Sequence, residues 1–528
     1  MQCDTPPAER PSSGFLRPFS VFAHAARFTF GALGVLAAPA FAQDEWPEQD
    51  PVTAFVEGCK TALTGGAGGG PNAGLLTGKG TLWGAPCDVQ LLVQPGARYL
   101  FELKGGFELV YAITPQSGWE LDPTGAQWPS ELGDLERRRW VFAVMSGDWL
   151  ADPEITVEPI ADDGESELTS AKLARAGGCF DALLTVHRSS LLPAKLVLTD
   201  GAVTSTIEYS SWSEGPGHLW PMRTVIDGAS SGVVIGFESF TPPPHYLVDP
   251  FQRNVPLADV AFDEAVAPDV ECKLATSGHV LVHPRVDGKD VGWFLFDSGA
   301  SMLVLSPKAR AELGLAAVGK RTLQGPNSPE AALLRASALT IGPLTVSKPL
   351  FVEIDLARVS AATGVELAGI VGSDLLRRAV VELDREAPSF RVKASDGYAL
   401  EGATWTPVRF DRHAACVEAR FDGGAGLLKL DVGPARELVL HAPAVRALGL
   451  LDKPNASLAA VGDVRLDLAW LEVGGLRAEK VPALLSSAAS GPFSSRATAG
   501  VLPFALAGSP RIVFDLAARR VAFLRRPK

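Results

Sequence analysis

Two stretches decide how this chain is read. The first runs Trp293-Phe294-Leu295-Phe296, then Asp297-Ser298-Gly299-Ala300-Ser301, then Met302-Leu303-Val304-Leu305. The second runs Leu427-Leu428-Lys429-Leu430, then Asp431-Val432-Gly433-Pro434-Ala435, then Leu438-Val439-Leu440. Each is an apolar run, a tight Asp-x-Gly turn and a second apolar run, the pattern of two strands joined at an aspartate. Each leads into a short helical pattern ending in Leu-Gly-Leu, at 313–315 and at 448–450.

The correspondence continues downstream. Gly369-Ile370-Val371-Gly372 answers to Gly500-Val501-Leu502-Pro503, and Asp384 answers to Asp515. The two aspartates of the turns lie 134 residues apart (431 − 297), and the later pair lies 131 apart (515 − 384). A repeat of this order predicts two homologous β lobes, 272–395 and 405–528, joined by a linker at 396–404.

The rest of the chain differs in kind. From Gln43 to Pro250 there are 12 Lys+Arg against 28 Asp+Glu, a balance of −16, whereas Phe251 to Lys528 holds 33 against 30, or +3. So different a surface charge predicts a separate domain over 43–245, followed by a Pro-broken linker at 246–271. Short runs rich in Val, Leu, Phe and Trp between turn residues predict a mostly antiparallel sheet there, with helices at Ser130–Met145 and Leu168–Ala176. The fold class expected of the whole is therefore mainly β, with an α+β domain leading two β lobes.

Ahead of that domain, Arg10, Arg17 and Arg27 precede an uncharged stretch that closes on Ala40-Phe41-Ala42. Basic, apolar and small-residue segments in that order predict a signal peptide over 1–42, cleaved after Ala42, and so a periplasmic or secreted protein. No later run reaches the length that stable membrane insertion needs. A net charge of −12 offers no basic footprint for nucleic acid. After Cys3, the cysteines Cys59, Cys87, Cys179, Cys272 and Cys416 are odd in number and lack a C-x-x-C, so no zinc site is indicated; a Cys59–Cys87 bridge is left open.

Asp297-Ser298-Gly299-Ala300 between two apolar strands resembles the active-site loop of pepsin-like and retropepsin-like aspartic peptidases. Ile370-Val371-Gly372 resembles the segment that packs around that loop. His279 to Gly292, with Asp287-Gly288 as a hairpin turn, resembles the strand pair leading into it in bacterial retropepsin-like proteins. The resemblance implies a peptide or protein substrate, no metal and no organic cofactor. It also implies a catalytic dyad of Asp297 and Asp431, with Ser298, Gly299, Ala300 and Gly433 shaping the loops. A flap is expected at Gln324, Gly325 and Asn327, with a shorter counterpart at Ala460-Val461-Gly462-Asp463. Two carboxylates that share one proton give one group to activate water and one to protonate the scissile carbonyl.

The second lobe departs from that pattern. The family places Ser or Thr after the aspartate, and that hydroxyl hydrogen-bonds across the pair of loops; Val432 has none. Pro434 stands where a small residue is usual, and Pro503 replaces the glycine seen at Gly372. Two rivals follow: a peptidase active only as a homodimer through lobe one, or a non-catalytic peptide- or lipid-binding protein. The chain is a monomer in the first reading and a homodimer in the rival. The N-terminal domain loosely resembles the LolA-type lipoprotein carriers, on Gly118-Trp119-Glu120-Leu121-Asp122, Leu191-Leu192-Pro193-Ala194-Lys195-Leu196 and Ser205-Thr206-Ile207-Glu208-Tyr209.

Three other motifs invite different chemistry. Gly228-Ala229-Ser230-Ser231-Gly232 matches G-x-S-x-G, yet Thr224-Val225-Ile226 before it and Val233-Val234-Ile235 after it predict a hairpin turn. His279 and His283 would share a strand face, but no third metal ligand is evident. Arg137-Arg138-Arg139 is expected on a solvated helix face.

Overall fold

Period-two alternation builds the N-terminal sheet. In Ala85–Gln94, for example, Cys87, Val89 and Leu91 turn inward while Asp88 and Gln90 face water. Thirteen such strands form one antiparallel sheet from two meanders, Gly74 to Ser130 and Ile155 to Thr241. They are joined where Gly74–Leu82 pairs with Val233–Thr241. The helix Leu132–Ser146 connects the meanders and packs Phe142 against Tyr99 and Phe101, at ring-centroid separations of 5.4 and 5.5 Å. A second helix, Pro51–Thr64, starts on the Asp50 side chain, which accepts from the Thr53 N–H at 3.2 Å. The computed structural model describes residues 50–65, 73–161, 164–215, 217–246, 248–252, 254–323, 329–433, 435–452, 457–458, 463–507 and 511–524. The segment 1–42, the flap residues Gln324, Gly325 and Asn327, Pro434 and Ala460 to Gly462 lie outside them.

Two expectations for this region are corrected, and one open question is answered. Leu168–Arg175 is a strand, paired with Ile155–Pro159 and Asp181–His187. Its Leu, Ala, Lys and Arg favour a helix locally, but Ala171 and Leu173 bury at a spacing of two, and sheet pairing overrides propensity. The arginine triplet is not a solvated face. Arg138 is buried against Glu120 and Ser130 with its guanidinium over the Tyr111 ring, and Arg139 donates to the carbonyls of Thr114 and Pro115. Cys59 and Cys87 are free buried thiols rather than a bridge, Cys59 on the first helix and Cys87 in a strand; burial pushes the Cys59 thiol up to about 12. The Gly228 to Gly232 segment is the turn between Leu219–Ile226 and Val233–Thr241, as its flanking strands predict.

The later chain repeats itself in topology. One eight-stranded sheet orders Cys272–Leu274, Val280–Val282, Trp293–Phe296, Leu367–Val371, Leu303–Leu305, Leu350–Glu353, Glu330–Arg335 and Ala317–Thr322. The other orders Arg409–Asp411, Ala414–Phe421, Gly424–Asp431, Gly500–Pro503, Leu438–Leu440, Leu476–Leu485, Val464–Val473 and Ser457–Leu458. Position by position the two orders are the same, down to the parallel pairs that hold each aspartate strand. A six-stranded sheet joins the halves, with Val380–Asp384 antiparallel to Arg511–Asp515 at its centre. Asp287 and Gly288 take the left-handed backbone of a hairpin turn between Arg285–Val286 and Lys289–Asp290, as expected.

The N-terminal sheet is fastened to both halves. Glu131 and Asp134 accept the N–H groups of Phe410 and Arg412 at 2.9 and 3.0 Å. The Gly201 carbonyl accepts from Gly491 N–H at 3.1 Å, and Trp83 carbonyl from Lys320 N–H at 3.1 Å. Arg378, its side chain 1% exposed, holds Asp374, Asp259 and the Thr124 carbonyl together.

Candidate active site

The first aspartate turn is fixed by its neighbours in the sheet. Trp293–Phe296 runs parallel to Leu367–Val371, so Asp297 N–H reaches the Val371 carbonyl at 2.9 Å. The chain then turns back: Ala300 N–H donates to Asp297 O at 3.1 Å, and Gly299 N–H donates to the Asp297 carboxylate at 2.8 Å. The Ser373 hydroxyl donates to Ser298 O at 2.9 Å and braces the loop from below. Gly372 is required here by close approach. A Cβ on it would stand 2.2 Å from Asp297 O and 2.6 Å from Ala300 O.

The second turn is built the same way. Gly424–Asp431 runs parallel to Gly500–Pro503, which sets Leu430 opposite Leu502 as Phe296 stands opposite Val371, and places Pro503 opposite Asp431. Gly433 N–H donates to the Asp431 carboxylate at 2.7 Å, and a Cβ on Gly433 would meet that oxygen at 2.8 Å.

One hydroxyl ties the two turns together. Ser298, 1% exposed, donates from Oγ to the Leu430 carbonyl at 3.0 Å and accepts from Val432 N–H at 3.2 Å. Val432, also 1% exposed, has no hydroxyl to return the pair, so the cross-tie is one-sided. The turns that carry Asp297 and Asp431 are thus brought together, through Ser298 on one and Leu430 and Val432 on the other.

Electrostatics follow from this proximity. Burial pushes the Asp297 carboxyl above the usual carboxylate range. The Gly299 N–H opposes that, the charge of Asp431 adds to it, and His279 and the Ala300 N–H oppose it more weakly. His279 is itself held by Ser277 Oγ at 2.8 Å. Its neighbour His283 is engaged by Glu271 and Asp290 at 2.8 and 2.9 Å. Among the described residues no group of three His, Cys, Asp or Glu is placed to hold a metal ion.

Arg385 is a residue that sequence reasoning missed. Its guanidinium donates to the Gly433 carbonyl at 2.9 Å and to the Gly278 carbonyl at 2.7 Å, strapping the second aspartate turn to the first half. The charge of Asp431 acts on it, against the burial that lowers its pKa. An arginine after a strand that ends in Asp384 carries no local signal of that reach.

A family profile described as Aspartyl protease matches residues 282–375. No curated protein sequence matches the chain. Among solved structures, a retropepsin-like aspartic protease from Rickettsia conorii is similar at 18% identity, over 26% of this chain and 94% of that one, with a TM-score of 0.19. A LolA superfamily protein from Nitrosomonas europaea is similar at 11% identity, over 37% and 94%, with a TM-score of 0.26. A putative outer membrane lipoprotein-sorting protein domain from Vibrio parahaemolyticus is similar at 9% identity, over 35% and 91%, with a TM-score of 0.26. The family profile therefore covers one of the two aspartate turns, that of Asp297.

Proposed function

We propose that this protein is an exported, two-lobed aspartic endopeptidase in which Asp297 and Asp431 form the dyad. The observation that carries the reading is the Ser298 hydroxyl bonded to both Leu430 and Val432, because it joins the two aspartate turns within one chain. Export rests on the order of basic, apolar and small residues over 1–42.

In this reading Asp297, whose burial favours the protonated form, holds the shared proton, and Asp431 is the base. A water between them attacks the scissile carbonyl carbon and gives one proton to Asp431, while Asp297 gives its proton to the carbonyl oxygen. The tetrahedral diol then collapses: the C–N bond breaks, the amine takes the proton from Asp431, and a diol proton returns to Asp297. No cofactor enters. The dimeric rival requires Ser298 to leave Leu430 and Val432 for a second copy, so the tie within the chain favours the monomer.

The test is cleavage of a mixed peptide library by the full chain from acid to neutral pH, beside Asp297→Asn and Asp431→Asn. Loss of at least about 100-fold in each variant is expected, the scale of general acid–base catalysis. Cleavage that survives Asp431→Asn alone would favour the dimer. No cleavage by the unaltered chain at any pH would leave a binding role.

A further inference from the structure

A cavity of about 760 Å³ lies where the N-terminal sheet meets both halves of the later chain. That volume is in the range that takes a small ligand, about 300–1,000 Å³. Its apolar wall comes from the N-terminal domain, with Phe101, Tyr111, Val141 and Phe142. On its other side are Ser301 and Met302, which continue the Asp297 turn, and Arg321, on the strand that leads to the expected flap.

The charges around the cavity are matched except for one. Arg138 is paired with Glu120, and His413 stands 3.4 Å from the same carboxylate. Arg137 faces Asp227 at 3.9 Å and acts on Asp134, while Arg412 lies 3.8 Å from Asp200 and 3.5 Å from Asp411. Asp122 accepts from Trp128 Nε1 at 2.9 Å and from backbone N–H groups. Arg321 has no carboxylate partner among the described residues. Its Nη1 rests against Met302 Sδ at 2.8 Å, its Cζ lies 5.0 Å from the Trp83 ring centre, and its Nε is shut off from solvent without an acceptor. A guanidinium fixed by an aromatic face, with unused donors and no anion beside it, is preorganised for a carboxylate.

We infer that this cavity takes the C-terminal end of the peptide substrate, with its free carboxylate on Arg321. The inference rests on the peptidase reading and narrows its substrate class. The turn closed by Ala300 N–H on Asp297 O keeps those two Cα atoms within about 7 Å, and Ser301 is one residue further. Arg321 Nη1 rests on Met302, the next residue, and an extended peptide advances about 3.3 Å per residue, so the carboxylate sits within a few residues of the bond cleaved. A free carboxylate can end only the leaving-amine side of the substrate. The product is therefore a short C-terminal fragment, whose apolar side chains lie against Phe101, Val141 and Phe142.

The experiment compares cleavage of one peptide as the free acid and as the C-terminal amide, by the full chain and by Arg321→Gln and Arg321→Lys. The expected result is an acid-over-amide preference in kcat/KM of about 10- to 100-fold, the scale of hydrogen bonds to a charged group. The preference falls to near unity in Arg321→Gln, mainly through KM, and is partly kept in Arg321→Lys. Thermal unfolding of each variant, matched to that of the unaltered chain, confirms that it is folded. Equal cleavage of acid and amide by the unaltered chain overturns the inference while leaving the peptidase reading in place. So does an undiminished preference in Arg321→Gln. Absence of any cleavage overturns both.

Discussion

Ser298→Ala isolates the one-sided tie between the aspartate turns. The change removes a buried hydroxyl that donates to Leu430 O at 3.0 Å and accepts from Val432 N–H at 3.2 Å. The bond to Leu430 is worth about 1 kcal/mol net, and the buried Val432 N–H left without an acceptor costs about 1–3 kcal/mol. The sum is ~2–4 kcal/mol, lodged at the junction of the two halves. At roughly 2–4 °C per kcal/mol for a unit of this size, thermal unfolding falls by about 5–15 °C. Cleavage falls with it, because the two carboxylates lose their common brace. The repeat supplies an internal check. Placed in the Ser298→Ala background, Val432→Thr offers a hydroxyl from the opposite turn and restores about half of the loss. The assay is thermal unfolding of the single and double variants, read as a double-mutant cycle. A shift under about 2 °C for Ser298→Ala, or the same effect of Val432→Thr in both backgrounds, would refute the reasoning.

Two further outcomes are expected. Burial raises the Asp297 carboxyl, so the folded state binds more protons than the unfolded chain above about pH 4. The stability this contributes is complete below that pH and is lost as pH rises through the folded value. Asp297→Asn therefore raises the unfolding temperature more at neutral than at acid pH, and a gap that narrows toward neutrality would contradict this. Arg378→Ala strands the buried Asp374 carboxylate and costs about 3–5 kcal/mol. Denaturant unfolding checks it, and a loss under about 1 kcal/mol would mean that the pair is dispensable.

How much of this was legible depends on the range of the interaction. Asp297 and Asp431 announce themselves because an aspartate turn between apolar strands is a local pattern, and its recurrence at a matching interval survives divergence of the side chains. The missing hydroxyl at Val432 is legible for the same reason. Leu168 to Ala176 misleads because its residues favour a helix in isolation, whereas the pairing that makes it a strand involves Ile155–Pro159 and Asp181–His187. Arg137 to Arg139 mislead because a run of charge reads as solvated until the partners that bury it, Glu120 and Ser130, are in place.

The sequence by itself determined the mainly β class, the internal repeat and the two aspartate turns, all of which are written in periodicity and short-range chain chemistry. Tertiary structure alone decided that the Ser298 hydroxyl reaches Leu430 and Val432, that Arg385 straps Gly433 to Gly278, and that Arg321 lies beside the cavity with no carboxylate partner among the described residues. Those partners lie far apart along the chain, and no local propensity records a contact that only packing brings about.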